Sequence, residues 1–385
     1  MLATQRFALG SAPTQFGCGA LDRLPSALAS LGHDRALLVT DAGVAAAGIG
    51  RRVERLLREA GVTTRLFDGV NPNPGTDNLD AGAQAAREFG PNVVVAFGGG
   101  SVLDTAKGIA LMATNDGPAR DFDYRKEPAC PGLPIVAIPT TAGTGAETNG
   151  FGVIDNHETG RKFYVGHESV IPQAVILDPE LTRGLPPRQT AATGMDILTH
   201  ALESLSSVRS NPYAAGINLQ VVSMVFRYLP TATADGEDLE ARSQLLLAAH
   251  IVGLAFATTG LGMAHGLAHA LSARIAAPHG VALSVLLDHI LSFNLPVRSE
   301  IYARVALSLG VGQSELDERS NAAELVAAVH DLAREVGMPS TLRELGLEET
   351  MIPQIAQDAL QDEVMVNTPR TPTEVEMREV LETAL

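Results

Sequence analysis

Asp196 and His200 stand four residues apart in AATGMDILTHALES, where Ala191, Met195, Leu198, Leu202 and Leu205 recur at helical spacing. On one helix such a pair shares a face, about one turn (roughly 6 Å of rise) apart. Both border the apolar stripe and so point inward, where a carboxylate beside an imidazole is costly unless paired or metal-bound. His265 and His269 repeat the spacing later, and Pro278-His279-Gly280 sets another imidazole on a turn. One carboxylate with several imidazoles is the donor set of a divalent transition ion such as Fe(II) or Zn(II). Asp196, His200, His265 and His279 are the candidate ligands. The remaining histidines have a plainer reading. His250 and His289 fit buried imidazoles that bond a carbonyl, while His33, His157, His167 and His330 read as surface or loop residues.

A second set of residues suits a dinucleotide. The usual fingerprint, GxGxxG closing the first strand with an acid about twenty residues on, is absent. Here Asp41 ends the first strand, and Gly98, Gly99, Gly100 and Ser101 follow a later one. Glycines let backbone approach a pyrophosphate, and the amides opening a helix at Val102 supply donors and a positive dipole end. Asp41 suits a ribose and repels a 2′-phosphate, which favours NAD over NADP. A tight strand-to-helix turn with Asp41 as a cap explains the same residues, and the sequence leaves both readings open. The loop Thr140-Thr141-Ala142-Gly143-Thr144-Gly145 follows another strand, at the crevice where open α/β sheets bind ligands, although Thr and Gly are also ordinary turn formers. Asn73 and Lys162, out of context, read as solvated side chains.

The elements that must position these groups change character along the chain. Runs such as ALLVT, TTRLFDGV, NVVVAF, LPIVAIPTT and QAVILDPEL alternate with helical patterns up to about residue 184. That order implies a mostly parallel sheet covered on both faces. Beyond it, three- and four-residue apolar spacing predicts helices only. The expected organisation is an α/β dinucleotide-binding domain over 1–185 and an all-helical metal and substrate domain over 186–385, with the boundary in LTRGLPPRQ.

Composition narrows the partners. The chain has 385 residues, 45% apolar and 19% charged, with 28 Lys plus Arg against 44 Asp plus Glu. A net charge of −16 with no basic run argues against nucleic acid or an anionic membrane as partner. Cys18 and Cys130 cannot staple a chain of this size, which points to a reduced cytoplasmic protein. MLATQRFALGSAPTQ lacks the apolar core of a signal peptide. Residues 243–273 carry no charge and reach membrane-spanning length, but TTGLG in their middle reads as a break between two buried helices.

At these residues the chain resembles the iron-containing (group III) alcohol dehydrogenases nearly end to end. GGGSVLDTAKGIA, IPTTAGTGAET, AATGMDILTHALES, GLGMAHGLAHAL and APHGVALSVLLDHILSFN carry the likeness. NTPRTPTEVEMREVL looks like the family's closing Asn-Pro-Arg motif with a Thr inserted, and the lactaldehyde reductase and propanediol dehydrogenase type looks nearest. The resemblance implies a metal on Asp196, His200, His265 and His279, with His269 beside the nicotinamide and substrate without being a ligand. It implies NAD(H) contacts from Asp41, Asn73, Gly98, Gly99, Gly100, Ser101, Thr140, Thr141, Thr144 and Lys162. It implies a homodimer or larger homo-oligomer too. Val102 departs from the Pro many members carry, and Asn149-Gly150 from bulkier residues, a change expected to widen or loosen the nicotinamide end.

The reaction so implied is reversible oxidation of a small primary alcohol to an aldehyde, with cofactor on the sheet's carboxyl edge, metal on the helices and chemistry between them. Metal affinity should fall below about pH 6, because three imidazoles must be neutral. Three rivals differ in testable ways. A lyase of the dehydroquinate synthase type would release phosphate without net NADH change, a maleylacetate-reductase-like enzyme would work without metal, and a non-catalytic structural protein would do neither.

Overall fold

The computed structural model describes residues 12–156 and 161–385; the opening stretch and His157 lie outside the described residues. Eight strands are present among them: β1 (Thr14–Phe16), β2 (Arg35–Asp41), β3 (Thr63–Val70), β4 (Val93–Gly98), β5 (Ile135–Pro139), β6 (Phe151–Asn156), β7 (Arg161–Gly166) and β8 (Ala174–Leu177). Six of them form one sheet in the order β1-β8-β5-β4-β2-β3, with every pairing parallel. Five helices belong with it: α1 (Leu24–Leu31), α2 (Ala42–Ala46), α3 (Ile49–Glu59), α4 (Thr76–Phe89) and α5 (Gly100–Met112).

Side-chain alternation along the central strands builds two cores. Leu37, Val39, Val94, Ala96, Ile135 and Ala137 face one way, onto Leu79 and Ala83 of α4 and Ala106 and Ile109 of α5. Ala36, Leu38, Val93, Val95, Phe97, Val136 and Ile138 face the other, onto Leu24 and Leu28 of α1 and Val53 and Leu57 of α3. A sheet apolar on both faces must be covered on both, which is why its strands read as unbroken apolar runs.

Two elements were not anticipated. β1 adds an edge strand beside β8, and β6 and β7 form an antiparallel hairpin apart from the sheet. Asp104 and Lys107 of α5 hold that hairpin. Asp104 Oδ2 accepts from Val153 N at 3.0 Å, and Lys107 Nζ donates to Phe151 O at 2.6 Å and Asn149 Oδ1 at 2.9 Å. Gly152 is needed there, since a Cβ would lie 2.8 Å from the Asp104 Cα.

From Pro187 onward every α or β element is a helix: α6 (Pro187–Ser206), α7 (Pro212–Ala234), α8 (Leu239–Thr259), α9 (Met263–Ile275), α10 (His279–Leu309), α11 (Glu318–Glu335), α12 (Ile352–Leu360) and α13 (Glu374–Thr383). Two compact units result. One is Ala12–Pro186 with Asp235–His250; the other contains Pro187–Ala234 and Ile251–Leu385. The helical half is therefore not one continuous block, because the first part of α8 clusters with the sheet. The uncharged stretch 243–273 is broken, with α8 ending at Thr259 and α9 starting at Met263. α8 and α10 are each long and apolar enough to cross a membrane, but more than half of each apolar window is packed inside the protein.

Candidate metal centre and dinucleotide loops

In the helical unit, α6 carries Asp196, His200 and Glu203 on one face, α9 carries His265 and His269, and α10 opens on His279 with Pro278 as its N-cap. Gly280 lets that first turn approach α6, since a Cβ there would lie 2.4 Å from Ala192 O. Asp196 Oδ1 is the hub. His200 Nδ1 lies 3.5 Å from it, His265 Nε2 3.7 Å and His279 Nε2 4.0 Å. Asp196, His265 and His279 present donor atoms all within 4.8 Å of one another. The His200 ring stacks between Phe256 at 4.7 Å and His265 at 4.6 Å.

These residues fit a divalent ion. With bonds of about 2.0–2.2 Å, neighbouring tetrahedral donors stand roughly 3.4 Å apart, close to the separations from Asp196. Buried Asp196 Oδ1 and His265 Nε2 each lack a hydrogen-bond partner, which is costly for such groups. Burial opposes ionisation of Asp196, but the imidazoles of His200, His265 and His279 outweigh it and hold the carboxyl well below its usual range. Burial also works against a charged His265, yet Asp196 and Glu203 on either side push its pKa up to about 9. His279 is held well below the ordinary imidazole value, first by burial and then by the neighbouring imidazoles, against the pull of Asp196.

His269 stands at the edge of this cluster. Its ring stacks on His279 at 5.4 Å, and its Nδ1 lies 2.7 Å from Asp362 Oδ2. The closing motif serves the same region. Asn367 Nδ2 donates to Leu261 O at 3.1 Å, in the turn that leads into α9. Gly260 has φ +69 there, and a Cβ would lie 2.2 Å from Asn367 Nδ2, so the turn needs glycine.

In the sheet unit the candidate cofactor residues other than Lys162 follow or close strands of the parallel sheet at their carboxyl ends, while Lys162 lies in the β6–β7 hairpin. Asp41 closes β2, Gly98 closes β4, and Thr140 follows β5. A Cβ on Gly99 would lie 3.3 Å from the Thr141 side chain, and one on Gly100 2.6 Å from that of Thr144. α5 begins at Gly100, two residues before the expected start, with no side-chain cap at Gly99. Asp41 does cap α2, accepting from Val44 N at 2.9 Å, so one carboxylate oxygen has a structural task. Val102 is buried, its side chain filling the space above Gly98. Asn73 is half-buried in the loop after β3 and adopts φ 52.

Several expectations need correction. Lys162 is not solvated: its side chain is 9% exposed and pairs with Asp155 at 2.9 Å. His250 meets a carboxylate, Glu147 Oε1 at 3.0 Å, rather than a carbonyl. The glycine at 150 opens no space, since a Cβ would lie 2.4 Å from His167 O, and the Asn149 side chain is turned onto Lys107. Glu203, Phe256, Asp362, Glu147 and Lys107 escaped the sequence reading. Of these, Glu203 alone had a local signal, three residues after His200 on the same helical face.

Comparison with known proteins agrees with this layout. The family model described as iron-containing alcohol dehydrogenase matches residues 12–179, and that of the C-terminal part of the Fe-containing alcohol dehydrogenase family matches 190–385. A 1,3-propanediol dehydrogenase of Klebsiella pneumoniae is 37% identical over 371 residues, covering 96% of each chain. An NAD-dependent methanol dehydrogenase of Bacillus methanolicus is 34% identical over 369 residues, covering 96% of this chain and 97% of its own. The crystal structure of a 1,3-propanediol oxidoreductase superposes with a TM-score of 0.93 at 36% identity, over 97% of this chain and 98% of that one. On sequence, fold and the residues gathered at both places, the chain belongs to the iron-containing alcohol dehydrogenase family.

Proposed function

We propose that this enzyme interconverts a small primary alcohol or diol and its aldehyde, using NAD(H) and a divalent ion, Fe(II), held by Asp196, His200, His265 and His279. One observation carries the reading: Asp196 Oδ1 and His265 Nε2 are buried 3.7 Å apart, and neither has a hydrogen-bond partner. A cation bonded to both would satisfy two buried polar atoms that no hydrogen bond reaches. When bound, the ion supplies a Lewis acid that eases alcohol deprotonation or polarises a carbonyl, and the nicotinamide exchanges hydride.

The chain's own groups do the rest. Asp196 contributes the negative charge and the imidazoles contribute neutral donors. His269, its Nδ1 turned to Asp362, is assigned to holding or passing the substrate proton. Asp41, Asn73, Gly98–Ser101, Thr140, Thr141, Thr144 and Lys162 are assigned to NAD(H), with Asp41 disfavouring a 2′-phosphate. The names of the propanediol and methanol dehydrogenases support a small alcohol, and the latter supports NAD. Two exposed cysteines without a disulfide suit a reducing cytoplasm, and a homodimer or larger assembly is part of the proposal.

The test is NADH absorbance with a panel of primary alcohols and diols after reconstitution with Fe(II) and, separately, Zn(II). Alcohol-dependent NADH formation that disappears on chelation is expected. Activity surviving exhaustive chelation, or phosphate release without net NADH change, would replace this reading with the metal-free or the lyase alternative.

A further inference from the structure

Glu203 gathers three N–H donors from a single stretch of chain. Its Oε2 lies 2.6 Å from His265 Nδ1 and 3.1 Å from Gly262 N, and its Oε1 lies 2.7 Å from Ala264 N. The side chain is 7% exposed. α9 has Gly262 at its N-cap and no side-chain cap of its own. Glu203 reaches across from α6 and supplies acceptors for amides at that helix start. Gly262 permits the approach, since a Cβ there would already stand 3.3 Å from Glu203 Oε1.

An ionised carboxylate only accepts hydrogen bonds. Contact at 2.6 Å therefore places the proton of His265 on Nδ1 and leaves the lone pair of the neutral ring on Nε2, the atom facing Asp196. We propose that Glu203 is a positioning residue of the metal centre, fixing both the tautomer and the ring direction of His265. Carboxylates behind ligating histidines act this way in other metal sites, and losing one costs about 10–100-fold in metal affinity. The proposal rests on reading Asp196, His200, His265 and His279 as a metal site.

Glu203→Gln keeps the shape but exchanges one acceptor oxygen for an NH2 donor, so it cannot accept from all three N–H groups. Co(II) and Zn(II) affinities of purified Glu203→Gln, measured by competition with a chelating dye, should fall about 10–100-fold. The visible absorption of its Co(II) form should shift from that of the parent. Nitrogen-15 spectra of the Zn(II)-loaded parent should show His265 protonated at Nδ1 and ligated through Nε2, a readout that needs no variant to fold. Unchanged affinity in Glu203→Gln, or a parent spectrum with the proton on Nε2, overturns the positioning role while leaving the metal reading intact. A parent chain that binds neither ion overturns the metal reading itself.

Discussion

The imidazole of His269 and the carboxylate of Asp362 face each other at 2.7 Å, although 93 residues separate them in the chain. An ionised carboxylate only accepts hydrogen bonds, so this contact calls for the ring proton on Nδ1. Asp362→Asn should retain metal and lose about 100-fold in kcat, the lower range for a positioned proton carrier. Steady-state kinetics beside metal analysis of the same preparation decide this. Full turnover in the variant would detach Asp362 from the chemistry.

His265 and His269 lie one turn apart on α9 yet should answer differently to removal. His265→Ala should lose metal and activity together. His269→Ala should keep its metal and lose turnover, because its ring stands outside the set around Asp196. Metal content per chain, read with kcat, separates the two. Normal metal in both variants would discard the ligand assignment.

Acidity at the cluster makes both stability and metal binding depend on pH. The pKa of His265 rises from 6.5 to about 9 on folding. In the metal-free chain its ionic contribution is thus complete below about pH 6.5 and lost as pH climbs through 9. Asp196 works in the opposite sense, contributing above the usual carboxylate range and losing its contribution in strong acid. Calorimetry of metal-free protein should show Tm declining from pH 6.5 to 9. Metal must displace the His265 proton, so affinity should rise by up to about tenfold per pH unit over the same interval. The window expected from unperturbed imidazoles lay near pH 6; two flanking carboxylates move it upward. Affinity flat across pH 6.5–9 would contradict this.

Cofactor preference can be tested without unravelling α2. Asp41 caps that helix through Oδ1, so Asp41→Gly confounds charge with capping, which is worth about 0.5–2 kcal/mol. Asp41→Asn keeps a capping oxygen and removes the charge. Its kcat/KM ratio for NADP over NAD should rise at least several-fold, and an unchanged ratio would remove Asp41 from ribose recognition.

Lys107 is buried, and its ammonium bonds Asn149 Oδ1, Phe151 O and Asp104. Lys107→Met should destabilise the protein by about 3–5 kcal/mol, because it removes the buried cation that Asp104, Asn149 Oδ1 and Phe151 O share. Urea denaturation measures this, and a loss below about 1 kcal/mol would mean that the clip between α5 and the β6–β7 hairpin is dispensable.

Local periodicity carried much of the architecture. Val93–Phe97 is an unbroken apolar run because both of its faces are covered, and AATGMDILTHALES displays its inward face at every third or fourth residue. β1, three residues long, was too short to register. The β6–β7 hairpin carries charged residues and is anchored by a lysine on another element, so no alternation announced it. Lys162 misled for a related reason: nothing beside it in the chain predicts Asp155 across the hairpin.

Amino-acid order alone determined which donors exist and how those on one helix are phased, since four residues make about one turn: Asp196 with His200, and His265 with His269. It also placed Asp41, Gly98 and Thr140 after strands, where a parallel sheet exposes its loops. Tertiary structure alone decided that α6, α9 and the start of α10 bring Asp196, His265 and His279 to one point, and that Glu203 and Asp362 face the Nδ1 atoms of His265 and His269. Those contacts bridge 62 and 93 residues. Helical phase fixes a side chain's direction around its own axis, but packing between helices fixes what it meets.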